Sequence, residues 1–378
     1  MRSCLKALSL LLVANLFVAC GDGGSDSSTV EVLEWPGEEW TVTTPAEQGM
    51  DAALIEEAFE YAFQDGKETQ GVVVVKNGFL VAERYRDGAD ASTLATSWSA
   101  AKSFTSTMIG LAIGDGAIPS LDTPVSTFVP EWRTPEKEAI TIRALLEMRS
   151  GLAWNEARDN VPLYLNGTDQ LAFSTAVPVG RPPHEVFNYT SANSMILAEV
   201  VAAAVGTSTS EYAQERLFGP LGMTADWWVD GAGHTLGYCC VDTTTRDFAR
   251  FGLLFARGGR WRDQRIVSQQ WVEEVTRSLD GVPFYGLHWW LNSGGAAAPN
   301  VPGEMFAARG LHVQNIYVIP TLDLVVVRNS FYQRLGNGQT IRTGANLHQT
   351  RPPDSWDDDT FLGPIVRAID PADVAAAH

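Results

Sequence analysis

A serine and a lysine three residues apart, Ser99 and Lys102, form the pattern in this chain with the clearest chemical meaning. Residues at this spacing share one face of a helix, so the lysine amine can approach the serine hydroxyl. A serine is a weak nucleophile until a base takes its proton, and a lysine is such a base only where burial or nearby charge lowers its pKa. A helix N-terminus also stabilises charge developing on the oxygen. The pair therefore indicates nucleophilic attack on a carbonyl group.

A tyrosine and a serine, Tyr189 and Ser191, form a second pattern just before an apolar helix. A phenol held between a lysine and a serine can shuttle protons. Taken alone, such a tyrosine is more often an ordinary loop residue. Its interpretation therefore depends on the first pattern and on the order of the two along the chain.

Together these patterns resemble those of the serine β-lactamase-related hydrolases, in particular the class C-like branch that includes 6-aminohexanoate-dimer hydrolases and carboxylesterases. Three further segments agree. Residues 141–152 (TIRALLEMRSGL) resemble the family block ITIRHLL-x-M-x-SGL, and residues 246–252 (RDFARFG) resemble its RDLARFG helix. Residues 308–314 (ARGLHVQ) lie where the family places its third motif, on an inner strand edging the site. The resemblance runs from about residue 40 to residue 369.

This resemblance implies a role for each matched residue. Ser99 would be the nucleophile, Lys102 its base partner and Tyr189 the proton shuttle to the leaving group. The oxyanion hole would use the backbone N–H of Ser99 and one from the third motif, which we place at Leu311. The sequence leaves open which of Lys102 and Tyr189 takes the first proton. The implied reaction is hydrolysis of an ester or amide of a small acyl compound through an acyl-enzyme, with no cofactor and no metal.

One departure from the family bears on the substrate. The chain has no Lys-Thr-Gly, since its last lysine is Lys137, and in β-lactamases and transpeptidases that strand helps to hold the substrate carboxylate. Arg309 or His312 would have to replace it, and we expect both of them and Ser191 to bind substrate. We therefore expect esterase or amidase activity on a less anionic compound. The alternatives are β-lactamase or D-alanyl peptidase activity, and a non-catalytic binding or sensor lipoprotein.

Two local features bear on the pocket. We predict that Trp98, beside the nucleophile, and Tyr164 line an apolar cleft for the acyl group. The adjacent cysteines Cys239 and Cys240 form either a vicinal disulfide or two buried thiols, and the sequence leaves both open. Adjacent cysteines do not suit a metal site, since ligand cysteines are normally spaced by two or more residues.

The N-terminus predicts lipid anchoring. A segment with Arg2 and Lys6 precedes the apolar residues 7–19, and the FVA before Cys20 resembles a bacterial lipobox. This apolar run is too short to span roughly 30 Å of hydrocarbon, so we expect cleavage and acylation of Cys20. The protein would then be lipid-anchored to a membrane of the bacterial cell envelope, on its periplasmic or extracytoplasmic face.

The expected domain organisation follows. Residues 1–19 are the signal peptide, residues 20–39 a lipidated flexible tether, and residues 40–378 a hydrolase domain with a helical subdomain at about 115–240. The formal net charge of −18 argues against nucleic acid or an anionic membrane face as a partner. The oligomeric state is not determined by the sequence.

Periodicity predicts the elements that must position these residues. The predicted helices cover residues 51–63, 99–113, 140–148, 191–204, 212–217, 246–257 and 360–369. The predicted strands cover residues 71–76, 79–85, 314–319 and 324–329, with hairpins at Asn77-Gly78 and at residues 320–323. This order predicts an α/β (α+β) fold of the β-lactamase/transpeptidase type. In it, an antiparallel sheet from both chain ends is flanked by helices and interrupted by a mainly helical insertion.

Overall fold

The computed structural model describes residues 33–165, 168–333 and 349–369. A compact unit begins at Glu34. The predicted signal peptide, Cys20 and most of the predicted tether lie outside the described residues. Within the described ranges, no helix combines the length and apolarity needed to cross a membrane.

The described chain opens with a helix and strands, continues with a mainly helical middle, and returns to strands before a last helix. The helices are α1 (Ala52–Ala62), α2 (Ala101–Gly114), α3 (Ile142–Leu146), α4 (Glu156–Leu165), α5 (Gln170–Thr175), α6 (Ser191–Val205), α7 (Thr209–Ala213), α8 (Gly219–Leu221), α9 (Thr245–Ala256), α10 (Gln269–Val275) and α11 (Asp358–Arg367). The strands are β1 (Thr69–Lys76), β2 (Phe79–Tyr85), β3 (Leu94–Thr96), β4 (Asp226–Trp227), β5 (Val241–Thr244), β6 (Arg260–Trp261), β7 (Gln264–Arg265), β8 (Trp290–Leu291), β9 (Phe306–Gly310), β10 (Gln314–Ile319), β11 (Leu324–Ser330), β12 (Tyr332–Gln333) and β13 (Gln349–Thr350).

A six-stranded antiparallel sheet, in the order β2-β1-β11-β10-β9-β8, forms the centre. The first hairpin turns at Asn77 and Gly78, whose φ values of 54° and 82° suit the primed turns that short hairpins favour. Strand β1 pairs with β11, so the two chain ends meet in the middle of the sheet. The predicted fold class is confirmed, and the long segment between β3 and β8 is mainly helical.

Alternate side chains of the sheet enter two separate cores. Val73 and Val75 face the core that includes α2 and α9, whereas Val72 and Val74 face the core built with α1 and α11. Because both faces of β1 are covered, its valine run is unbroken instead of alternating with polar residues. The sheet thus supports a helical layer on each side, and the face carrying α2 is the one that bears Ser99.

The start of the nucleophile helix differs from the prediction. The predicted helix begins at Ser99, whereas α2 begins at Ala101 and Ser99 lies on a 3-10 turn, Trp98–Ala100. Trp98 has a φ of 45°, a left-handed conformation that a tryptophan rarely adopts. The chain therefore turns sharply just before the helix.

The third-motif strand also ends earlier than predicted. Strand β9 stops at Gly310, and residues 311–313 form a turn into β10. His312 and Val313 have positive φ values of 60° and 64° in this turn. A Cβ at position 310 would lie 2.1 Å from the carbonyl oxygen of Ser97, so only glycine lets the strand end pack against the backbone before Ser99.

Candidate active site

Ser99 is held in place through the residue two positions before it. The backbone N–H of Ser97 donates to the carbonyl of Val241 at 2.9 Å, and the Ser97 hydroxyl accepts from the N–H of Val241 at 2.9 Å. Strand β5 thereby fixes the chain that leads into the turn. Left-handed backbone at a non-glycine residue, as at Trp98, is costly and is found mainly at functional sites.

Lys102 lies one helical turn further on, and its side chain is buried. Its Nζ contacts the Oγ of Ser99 at 3.0 Å, the Oγ of Ser191 at 3.2 Å and the carbonyl oxygen of Tyr238 at 3.1 Å. Burial lowers the pKa of Lys102 to about 8, and the nearby carboxylate of Glu156 acts in the opposite direction. The structure thus brings Ser99 and Lys102 within hydrogen-bond distance, with an amine that can lose its proton near neutral pH.

Ser191 does not face the cavity, contrary to the predicted substrate contact. Its side chain is completely buried at the start of α6. Its hydroxyl donates to Oε1 of Glu156 at 2.7 Å, and the indole N–H of Trp154 donates to Oε2 at 2.5 Å. Ser191 therefore links Lys102 to a carboxylate, and burial leaves no room for a substrate against its hydroxyl. Glu156 itself had no motif that pointed to it.

Tyr189 stands on the other side of Ser99. The Nζ of Lys102 lies 4.9 Å from the centre of its ring, and its hydroxyl forms a hydrogen bond with Ser99. Burial raises the pKa of Tyr189 above its ordinary value, while that hydrogen bond acts in the opposite direction. The phenol is therefore protonated at neutral pH and can donate a proton. Trp290 packs against the ring at 5.7 Å between centroids.

A buried histidine lies behind Lys102. The Nδ1 of His288 contacts the backbone carbonyl of Lys102 at 3.2 Å, and the hydroxyl of Ser103 donates to the carbonyl of His288 at 2.7 Å. Burial and, secondly, the charge of Lys102 lower the pKa of His288 to about 3. The imidazole is therefore neutral and adds no positive charge beside Lys102.

Ser99 opens into a cavity of about 940 Å³. Trp98 and Tyr164, the two aromatic residues expected to line the pocket, both lie in its wall with their ring centroids 5.2 Å apart. Leu311, whose backbone N–H is the expected second oxyanion donor, also lies in the wall, next to Gly310. The remaining wall is largely aromatic and aliphatic.

Neither residue expected to replace the missing lysine is placed to do so. Arg309 reaches the cavity wall, but its guanidinium forms an ion pair with the carboxylate of Asp358. The Nδ1 of His312 contacts the hydroxyl of Thr350 at 2.7 Å, and His312 is not among the described residues that line the cavity. A substrate carboxylate would therefore compete with Asp358 for the only cation that this motif supplies to the wall.

The two adjacent cysteines are joined as a disulfide, Cys239–Cys240, which decides between the two predicted states. Both are buried, and Cys239 contributes to the cavity wall. The residue before them, Tyr238, supplies the carbonyl that accepts from Lys102. The disulfide therefore closes the turn that holds the lysine amine.

Comparison with known proteins agrees with this geometry. Residues 57–336 match the beta-lactamase family. The chain is 27% identical over 297 residues to the 6-aminohexanoate-dimer hydrolase of Paenarthrobacter ureafaciens. The match covers 69% of this chain and 72% of that relative.

Two solved structures share the fold. A family VIII carboxylesterase matches with a TM-score of 0.63 at 17% identity, over 87% of this chain and 99% of that chain. A D-stereospecific amidohydrolase from Streptomyces matches with a TM-score of 0.56 at 16% identity, over 74% of this chain and 94% of that chain. The resemblance read from the motifs is thus confirmed, and the chain belongs to the beta-lactamase family of hydrolases.

Proposed function

We propose that this protein is a serine esterase or amidase that transfers the acyl group of an apolar, uncharged substrate first to Ser99 and then to water. The observation that carries this proposal is the hydrogen-bond arrangement around the Lys102 amine. It makes Lys102 the base for Ser99 and leaves Tyr189 as a proton donor.

The partners of Lys102 determine where its lone pair points. A carbonyl such as that of Tyr238 only accepts hydrogen bonds. The Ser191 hydroxyl gives its own proton to Glu156, so towards Lys102 it also accepts. A neutral amine has two N–H donors, and these two acceptors use both. The remaining lone pair faces Ser99, which can therefore give its proton to Lys102.

The reaction then follows in two halves. As the Ser99 oxygen bonds to the substrate carbonyl carbon, its proton passes to Lys102 and the oxyanion accepts hydrogen bonds from the N–H groups of Ser99 and Leu311. Tyr189 protonates the leaving oxygen or nitrogen and recovers a proton from Lys102. A water molecule then attacks the acyl-enzyme, its proton passes back through the same groups, and Ser99 leaves with its hydroxyl restored.

The wall of the cavity disfavours an anionic substrate. Arg309 is already paired with Asp358, and the carboxylate of Glu156 lies in the wall. A penicillin or a D-alanyl terminus carries a carboxylate that needs a cation to position it. This arrangement supports ester or amide hydrolysis over β-lactamase or D-alanyl peptidase activity.

The test compares kcat/KM for p-nitrophenyl butyrate and for nitrocefin on one preparation, with Ser99→Ala as the blank. We expect ester turnover that Ser99→Ala abolishes, and nitrocefin turnover lower by roughly one to two decades, as the loss of one charge-assisted contact costs about 1.5–3 kcal/mol. Nitrocefin turnover at the rate of the ester would contradict the substrate assignment. An unlabelled Ser99 after exposure to a fluorophosphonate would instead favour a non-catalytic binder.

One variant sharpens this comparison. In the wild type, Asp358 pairs with Arg309 and accepts from the hydroxyl of Tyr317. Asp358→Asn removes the negative charge and keeps an oxygen that accepts from Tyr317. We expect nitrocefin turnover to rise relative to butyrate turnover in this variant. An unchanged ratio would mean that Arg309 does not reach the substrate.

We also propose that the protein is a bacterial lipoprotein acylated at Cys20 and exposed on the extracytoplasmic side of a membrane. The residues before Cys20 support this, and so does the disulfide, because disulfides persist in oxidising compartments. Metabolic labelling with palmitate in a bacterium should tag the wild type and not Cys20→Ser. A wild type that stays unlabelled would refute the anchoring.

A further inference from the structure

Exposed apolar side chains surround the mouth of the cavity at Ser99. The exposed fractions are 57% for Val161, 42% for Phe284 and 53% for Leu311, and all three residues line the cavity. They come from α4, from the loop before β8 and from the turn after β9. A single exposed apolar side chain is normal, but several gathered around one opening indicate a binding surface.

An aromatic wall connects this mouth with the reaction centre. Phe284 stacks on Trp290 with 6.3 Å between ring centroids, and Trp290 lies 5.7 Å from Tyr189, which contacts Ser99. The carbonyl of Phe284 accepts from the N–H of Leu291 at 2.9 Å, so the backbone of this wall is tied to β8. The apolar surface is therefore continuous from solvent to the nucleophile.

A second part of the cavity wall, from α4, contributes the apolar surfaces of Val161 and Tyr164, and the charged residues that line the cavity already have partners. Tyr164 packs on Trp98 at 5.2 Å, one turn along α4 from Val161. Glu156 accepts hydrogen bonds from Ser191 and Trp154, as described above. The volume of about 940 Å³ is near the upper end of the range of about 300–1,000 Å³ for sites that enclose drug-sized ligands, and an acetyl or butyryl group would leave most of it empty.

We propose that the acyl group of the substrate is a hydrocarbon chain of octanoyl length or longer, a proposal that rests on the esterase or amidase function above. The carbonyl lies at Ser99, and the chain runs between the Phe284–Trp290 wall and the Val161–Tyr164 wall towards the mouth. Each methylene buried along this path gains contact with apolar surface without removing an unpaired charge from water.

The test measures kcat/KM for p-nitrophenyl acetate, butyrate, octanoate and dodecanoate below and above their critical micelle concentrations, and chain lengths are compared on the values below. In the wild type we expect a rise of up to about fourfold per added methylene from butyrate to octanoate. Phe284→Ser and Val161→Ser remove apolar contact from two different elements at exposed positions. In each, the octanoate-to-acetate ratio should fall about tenfold. Val42→Ser is the matched control, since Val42 is 64% exposed and bridges to Leu80 on the opposite edge strand.

The outcomes separate this proposal from the proposed function. Cleavage of acetate and butyrate with no increase towards octanoate would overturn the chain-length proposal and leave the esterase intact. Failure to cleave any of the esters or the corresponding amides would refute the esterase or amidase function itself. An increase that appears only above the micelle concentration would place the apolar mouth against a lipid surface instead of a single chain, and would also overturn the proposal.

Discussion

At the scale of single residues, the chemistry depends on a charge balance around one amine. Burial favours the neutral form of Lys102, and Glu156 favours the charged form. The balance gives a pKa of about 8, well below that of an ordinary lysine, so the base is partly available at neutral pH. The pKa of Tyr189 is raised and that of His288 is lowered, so neither group changes its protonation near neutral pH.

The first prediction concerns the pH dependence of kcat/KM. Because the neutral amine is the reactive form, we expect kcat/KM of the wild type to rise with pH around a midpoint of about 8. Glu156→Gln removes the negative charge that holds the proton on Lys102 and keeps an oxygen that accepts from Ser191. Its midpoint should therefore lie at lower pH. Glu60→Gln, on an exposed position of α1, is the control, and a Glu156→Gln midpoint at or above the wild-type value would contradict the assignment.

At this scale, the sequence predicted a contact only where the two residues have a fixed spacing along the chain. Ser99 and Lys102 are three residues apart, so local geometry alone predicted their contact. Glu156 lies near the same amine and His288 contacts the backbone carbonyl of Lys102, both from distant segments with no fixed spacing to it. Their part in the site depends on the tertiary fold, and no pattern along the chain pointed to them. Ser191 was predicted from its motif to contact the substrate, but it is buried and bonds to Lys102 and Glu156.

At the scale of elements, the turn from Gly237 to Val241 positions the catalytic lysine from outside its own helix. The hydroxyl of Thr105 on α2 donates to the carbonyl of Gly237 at 2.6 Å. The backbone of Val241 pairs with that of Ser97. The carbonyl of Tyr238, between Gly237 and Val241 in this turn, accepts a hydrogen bond from Lys102. The turn therefore positions both the backbone that leads to Ser99 and the amine of Lys102. A disulfide between neighbours closes an eight-membered ring that restricts the peptide joining Cys239 and Cys240.

The second prediction follows from this arrangement. Replacing both cysteines by serine should lower kcat by about tenfold, because the Tyr238 carbonyl loses its fixed position against Lys102. Wild-type protein reduced with dithiothreitol should fall to the same kcat, while the double variant should not respond to dithiothreitol. Full kcat in wild-type protein, after thiol titration has shown complete reduction, would mean that the disulfide does not position the lysine.

Most elements followed from local patterns, and the exceptions are informative. The hairpin at Asn77-Gly78 was predicted because its turn chemistry and strand lengths agree. The 3-10 start before α2 was not, since the positive φ of Trp98 is imposed by the pairing of Ser97 with β5. At the end of β9, Gly310 approaches the carbonyl of Ser97 closely, and the chain turns directly after it. In both cases the departure coincides with a tertiary contact at the active site.

At the scale of the whole molecule, the sheet and the helical region meet at the active site. Ser99 lies in the 3-10 turn before α2, which packs on the sheet. Tyr189 precedes α6, Ser191 begins it, and the end of β9 lines the cavity. His288 joins these parts, since it precedes β8, contacts the first turn of α2 through Lys102, and lies 3.4 Å from the hydroxyl of Ser194 on α6. A neutral imidazole at this junction couples the stability of the fold to pH.

The third prediction is therefore a loss of stability in acid that originates at His288. Its pKa is about 3 in the folded chain and 6.5 in the unfolded chain, so between these values the unfolded chain binds a proton that the folded chain excludes. Stability is fully present above pH 6.5 and decreases as the pH falls. By about pH 5 the loss amounts to about 2 kcal/mol. Protonation of carboxylates elsewhere in the fold also contributes to acid denaturation, so the measurement must be a difference between variants.

Urea unfolding of the wild type and of His288→Asn at pH 7.5 and pH 5 isolates this contribution. Asparagine tolerates the positive φ of 65° at this position and carries no titrating group. We expect the wild type to lose about 2 kcal/mol more than His288→Asn between the two pH values. His184→Asn, at an exposed histidine with a φ of 69°, controls for the substitution itself. If the wild type and His288→Asn lose equal stability, the junction between sheet and helices accepts the imidazolium, and the acid sensitivity must come from elsewhere in the fold.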